Sequence, residues 1–228
     1  MVAQAGRDKP CPYTHYMLKP IRWNTFIRDF VVIQVGFATF GFAIAALIRA
    51  NLGTSSWAVF EVALSRIFHI TPGTASVLVG LGVLAIALSL KEQIGWGTLA
   101  NILSIGPWED LFLWLIPNVE HSLIIQIIYF LLALGAMGIA TAIYIGVDAG
   151  AGPRDSLMLA LTRKTARSVQ LVRSAIEVTV VLTGWLLGGP VGVGTLIFAL
   201  LIGPSVQVGF KLFKVKPHKP QTVEIGTD

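Results

Sequence analysis

The chain has 228 residues, 54% of them hydrophobic and 13% charged, with a net charge of +5 and a mean hydropathy of +0.74. A soluble domain carries about 25% charged residues, and here much of the charge sits at 1–29 and 211–228, which leaves the middle too apolar for a soluble fold. Nucleic-acid binding is excluded as well, because the basic residues stand at the ends and between apolar runs, where they report membrane orientation.

Cys11 is the single cysteine, so neither an intrachain disulfide nor a cysteine metal site is available. His15, His69, His121 and His218 share no ligand spacing. No metal, cofactor or catalytic triad is expected, and an enzyme is the least favoured class.

Taken in chain order, residues 1–29 read as a polar cytoplasmic tail. Pro10, Pro12, Pro20 and several charges replace the apolar core that a signal peptide needs. A first membrane unit, 30–116, holds the apolar runs Phe30–Ile48, Thr74–Leu90 and Ile94–Ile116. A connecting loop, 117–121, leads to a second unit, 122–212, with runs Leu123–Ile145, Val169–Leu187 and Val193–Phe210. Residues 213–228 form a second cytoplasmic tail in which Pro217 and Pro220 discourage a helix. Two shorter stretches, Ser55–Phe68 and Pro153–Leu161, fall below the roughly 20 residues of a full span and suit broken or re-entrant helices.

The expected fold is therefore all-α and membrane-embedded, with six transmembrane spans and two short helices; eight spans is the alternative. Arg22, Arg28, Lys91, Arg163, Lys164, Arg167 and the basic C-terminal tail all fall on the cytoplasmic side of the six-span scheme. Arg49 and Arg66 do not.

The two units are related by an offset of 97 residues. Ile94-Gly-Trp-Gly-Thr-Leu99 matches Val191-Gly-Val-Gly-Thr-Leu196, Ile105-Gly-Pro107 matches Ile202-Gly-Pro204, and Ala63-Leu-Ser-Arg66 matches Ala160-Leu-Thr-Arg163. Gly41 and Gly53 match Gly138 and Gly150. Three spans per unit force the second copy to be inverted, a plan that recurs in secondary transporters with broken helices near the symmetry centre.

Each copy contains a break. In the second, Asp148-Ala-Gly-Ala-Gly-Pro-Arg-Asp155 places proline and an acid where a helix starts, so Gly150 and Gly152 belong to the break and Pro153 opens a helix. In the first, Asn51-Leu-Gly-Thr-Ser-Ser-Trp57 offers Thr54, Ser55 or Ser56 as a helix cap. Free backbone N–H groups at a helix start attract anions, and Arg154 would strengthen such a site. The plainer reading pairs Arg154 with Asp155 or Asp148.

Arg173 and Glu177 are four apart and either pair with each other or line a cavity with Arg154 and Asp155. Glu109 and Asp110 interrupt an apolar run, either as buried acids or where the membrane ends. Glu61, on the first short helix where the second copy has Met158, is either functional or paired with Arg66 nearby. The candidate ligand-binding residues are thus Arg154, Asp155, Gly150, Gly152, Asn51, Trp57, Arg173, Glu177 and Asp110.

The segments Gly150–Met158 and Leu186–Thr195, with the Asn51–Trp57 break, resemble the YczE branch of the YczE/YyaS/YitT group of bacterial multi-pass membrane proteins. The resemblance covers residues 30–212 and is looser in the first copy, where Ser56-Trp57-Ala58 stands where the group often has Pro-Trp-Asp. It implies a multi-pass protein of the bacterial cytoplasmic membrane and supplies no substrate. Two functions are carried forward. One is a transporter or permease for a small solute, an anion among the candidates. The other is an accessory protein whose apolar surface docks a partner membrane protein or a second copy. The lipid bilayer is the one partner both require.

Overall fold

The computed structural model describes residues 21–92, 94–119, 122–150 and 152–215. Cys11, most of the N-terminal tail and the C-terminal tail from residue 216 lie outside them. The described residues form a 3-10 turn at Trp23–Thr25 and eight helices. These are α1 (Phe26–Ala50), α2 (Ser56–Phe68), α3 (Pro72–Ser89), α4 (Trp96–Leu115), α5 (Leu123–Gly146), α6 (Pro153–Thr165), α7 (Val169–Leu186) and α8 (Val193–Leu212).

The bounds of α2, α3 and α4 shifted by 97 residues are those of α6, α7 and α8; α5 starts at the shifted position and ends one residue sooner. Local backbone follows the same offset. Asn51 and Asp148 both take positive φ, as do Gly53 and Gly150, His69 and Ala166, and Lys91 and Gly188. Thr71 and Ser168 each accept from a backbone N–H three residues on, at 3.1 and 3.3 Å, and so cap α3 and α7. Ser55 precedes α2 without such a bond, so the expected hydroxyl cap is not used there. Pro107 and Pro204 lie inside α4 and α8. Helices in lipid tolerate proline because neighbouring groups satisfy the freed carbonyl.

Five helices, α1 with its preceding turn, α3, α5, α7 and α8, are long and apolar enough to cross a membrane. The sixth expected span, α4, contains Glu109 and Asp110 and is not among them.

The core is built on α1 and α5. Phe26 meets Trp96 with ring centroids 5.1 Å apart, Gln34 donates to Ser104 at 2.8 Å, and Phe42 meets Phe112 at 5.5 Å. Those contacts rise together along both helices, so α1 and α4 run parallel. By the same logic Ser205 donates to the Leu134 carbonyl and Gly194 lies beside Phe130, so α5 and α8 run parallel. Arg22 donates to the Val147 carbonyl at 2.6 Å and Phe37 meets Tyr144, so α1 and α5 are antiparallel. α1 and α4 thus run opposite to α5 and α8.

The two units are interlaced. Gly97 N donates to the Ala149 carbonyl at 3.1 Å, and the equivalent Gly194 N donates to Leu52 at 2.7 Å. Each break is closed by the other unit. A Cβ at Gly53, φ +107°, would lie 2.7 Å from Gly192 N; one at Gly150, φ +135°, would lie 2.8 Å from Gly95 Cα. Only glycine accepts both that backbone and that approach.

The break before α2 and the last turn of α2 both touch the α7–α8 connection. Leu52 in the break meets Gly194, and Arg66 in the last turn donates to the Gly188 carbonyl at 2.9 Å. The break before α6 and its last turn likewise meet the α3–α4 connection, through Ala149 to Gly97 and through an Arg163–Glu92 ion pair.

Candidate functional site

The two breaks aim the first turns of α2 and α6 at each other. Trp57 and Arg154 occupy equivalent positions in the two units, and the Arg154 guanidinium carbon lies 4.8 Å from the Trp57 ring centroid. Such a cation over an indole face contributes about 1–2 kcal/mol where water is excluded. Trp57 is itself buried, packed with Val83 and Leu157.

Arg154 also forms an ion pair with Glu61. Glu61 is 1% exposed and the Arg154 side chain 31%. The carboxylate for Arg154 therefore comes from the opposite unit, not from its own break. Arg66, the partner expected for Glu61, is spent on the Gly188 carbonyl. Each of the paired residues has an apolar equivalent, Met158 for Glu61 and Trp57 for Arg154, so the framework does not by itself require the charges.

A second polar group adjoins the first. Asp155, on α6, feels the charges of Arg173, Arg154 and Glu177. Arg173 and Glu177, on α7, make no ion pair with each other, and the charges of both reach Asp155. Gly152 sits between α6 and α4: a Cβ there would lie 3.6 Å from the Asp155 carboxylate and 3.9 Å from the Asn101 amide. Tyr144, on α5, is within reach of the charges of Asp155, Arg154 and Arg173.

The remaining expected residues have other employment. Asn51 is exposed and ends α1 in the left-handed conformation. Gly150 provides the close approach to Gly95. Asp110 accepts from Thr71 Oγ1 and from Gly73 N, the latter at 2.8 Å, and so caps α3. An acid at a helix start also meets the positive end of its dipole. Its neighbour Glu109 is completely buried, within reach of the charges of Glu61 and Arg154. Glu109 and Glu61, absent from the expected site, are therefore part of this centre; their placement in an apolar run was the available signal.

The units differ in how their last two helices pack. α3 lies against α4, with Gly73 and Gly106 in backbone contact and Gly80 against Ile102. The equivalents of Gly73, Ser76 and Gly80 on α7 are Gln170, Arg173 and Glu177. α7 barely meets α8, and Gly203, equivalent to Gly106, has open space beside it. The stripe that closes α3 on α4 is thus a polar stripe along a gap in the second unit. An apolar groove of about 450 Å³ lies elsewhere, between α2 and α3, lined by Phe60, Leu64, Leu78 and Val83 among others.

The family described as a family of unknown function, DUF6198, matches residues 27–211, nearly all of the helical region. The chain belongs to that family. It is 32% identical over 186 residues to the uncharacterised membrane protein YczE of Bacillus subtilis, across 80% of this chain and 82% of that protein. It is 31% identical over 201 residues to an uncharacterised protein of Haemophilus influenzae, across 87% and 90%. YyaS of Bacillus subtilis is 28% identical over 178 residues, across 76% and 88%. The resemblance read from the breaks is therefore correct. No solved structure matches. This is a membrane protein with several apolar helices, from a family without an assigned activity.

Proposed function

We propose that the chain is a small-solute permease of the cytoplasmic membrane, built from two inverted copies of a three-span unit, with its site where the two breaks meet. One observation carries the reading: two short helices start from opposed breaks and bring Trp57, Glu61 and Arg154 together at the pseudo-two-fold centre. Charges at that depth are costly and mark pathways. Arg154 can grip a carboxylate or phosphate through two parallel hydrogen bonds, so an anionic solute suits it.

In this reading α4 is the sixth span, as its parallel course beside α1 supports. The gap between α7 and α8, with Gln170, Arg173 and Glu177 along it, is the path to the site. With the N-terminus inside, the start of α7 faces the cytoplasm, so this is an inward-open arrangement. Outward opening would part α3 from α4.

The accessory-protein reading draws on the Arg154–Glu61 pair, since satisfied pairs are all that a scaffold requires. It leaves the polar stripe on α7 and the buried Glu109 without purpose, and transport is preferred for that reason. The test is solute uptake by reconstituted vesicles across a panel of small anions, with Arg154→Ala as control. Uptake that this variant abolishes supports the reading. A panel with no uptake, together with stable capture of one membrane partner, overturns it. Orientation is tested with single cysteines in a Cys11→Ser background. Val119→Cys and Pro190→Cys should react with an outside reagent, and Thr165→Cys should not.

A further inference from the structure

Glu109 stands at this centre with no counter-ion of its own among the described residues. It is 0% exposed, and neither carboxyl oxygen has a hydrogen-bond partner among the described residues. The second oxygen of Glu61, Oε2, is likewise buried and without a partner. The groups whose charge reaches Glu109 are Glu61 on α2, Asp110 on its own helix and Arg154 on α6. From α1 the approach is backbone at Gly41, and α3 carries no titratable residue. Arg154 already balances Glu61, and Asp110 is held by the start of α3. An ionised carboxylate buried with no partner is too costly to persist; it carries a proton or meets a cation. No group of three or more His, Cys, Asp or Glu stands together among the described residues.

We propose that Glu109 and Glu61 form a single-proton site that couples transport to proton movement, with Arg154 as the cation the two carboxylates share. With the proton on Glu109, Arg154 pairs with Glu61, as observed. When the proton leaves Glu109 as H⁺, two carboxylates compete for one guanidinium, and Arg154 shifts off Glu61 across the Trp57 face. Because Arg154 and Trp57 stand at the junction of the breaks, loss of the proton changes the contact between the two units. The proposal deepens the permease reading by naming its driving ion. Its test does not depend on any solute.

The probe is the proton itself. Purified protein in nanodiscs is titrated with pH while its infrared difference spectrum is followed. A protonated-carboxyl band typical of an apolar setting should appear, should shift when glutamate rather than aspartate is isotope-labelled, and should vanish in Glu109→Gln. It should persist in Asp110→Asn. In Glu61→Gln, which frees Arg154 for Glu109, the pH at which the band is lost should fall by about one unit or more. Labelled wild-type protein gives the glutamate assignment even where a variant does not fold. A band unaffected by glutamate labelling or by Glu109→Gln overturns the proposal, and so does a Glu61→Gln titration identical to wild type. A glutamate band in a protein that moves no solute would leave the proton site standing and remove the permease reading instead.

Discussion

Gly106 and Gly203 hold the same place in the two halves of this protein, yet one is pressed against Gly73 and the other faces open space. The difference is written on the helices that face them. Small residues on α3 allow a backbone-to-backbone seam, as is common between helices in lipid. Their counterparts on α7 are a glutamine, an arginine and a glutamate, which cannot be pressed into an apolar seam unpaired. One framework thus holds a closed wall and an open, polar one. A repeated helix order can thus carry different packing and different polar residues in its two copies.

The sharpest way to break this comparison is to enlarge both glycines. Gly106→Leu should destabilise the protein by about 3 kcal/mol or more, through overpacking against Gly73 and Val77, seen as loss of monodisperse protein. Gly203→Leu should be nearly silent in thermal unfolding. Equal damage from both would mean that α7 and α8 are normally closed.

Next in size is the pair that joins the halves. Arg154→Gln should cost about 3–5 kcal/mol because the buried Glu61 is abandoned. Arg154→Gln combined with Glu61→Gln should recover most of that. If Arg154 serves only structure, uptake returns with the double variant; if it grips the solute, the double variant is stable and inactive.

Arg173→Ala probes the open wall alone. It should lower uptake about tenfold or more, the loss of one charge-assisted bond, with little change in unfolding temperature. A large loss of stability instead would make the α7 stripe part of the core. Smallest is Asp110→Ala, which removes the cap on α3 and should cost about 1 kcal/mol without changing substrate preference. A change in preference would return Asp110 to the site.

Much of the fold was legible because apolar runs mark its helices. Those runs fall within a few residues of the helix bounds, and the Gly-Pro-Arg-Asp start of α6 was read from helix-start chemistry. What could not be read was which side of a helix meets which neighbour. Glu109 and Asp110 are adjacent, so spacing gave no reason why Asp110 caps α3 while Glu109 is sealed inside near Glu61 and Arg154. Arg154 had two acids in its own break, and its actual partner lies 93 residues away on α2. Such a pairing becomes visible only once the two breaks are known to cross.

That crossing bears on how the protein is made. The carbonyl of Leu52 is satisfied by Gly194, which is synthesised long after α1 and α2 have entered the membrane. Until α8 arrives, the first break is an open bracket: a polar turn between two inserted helices, with its backbone partner not yet in existence. The first half should therefore be vulnerable to membrane proteases when expressed alone and protected when the second half is supplied in trans. Completion of the chain, rather than insertion of its helices, would be the step that makes each half safe.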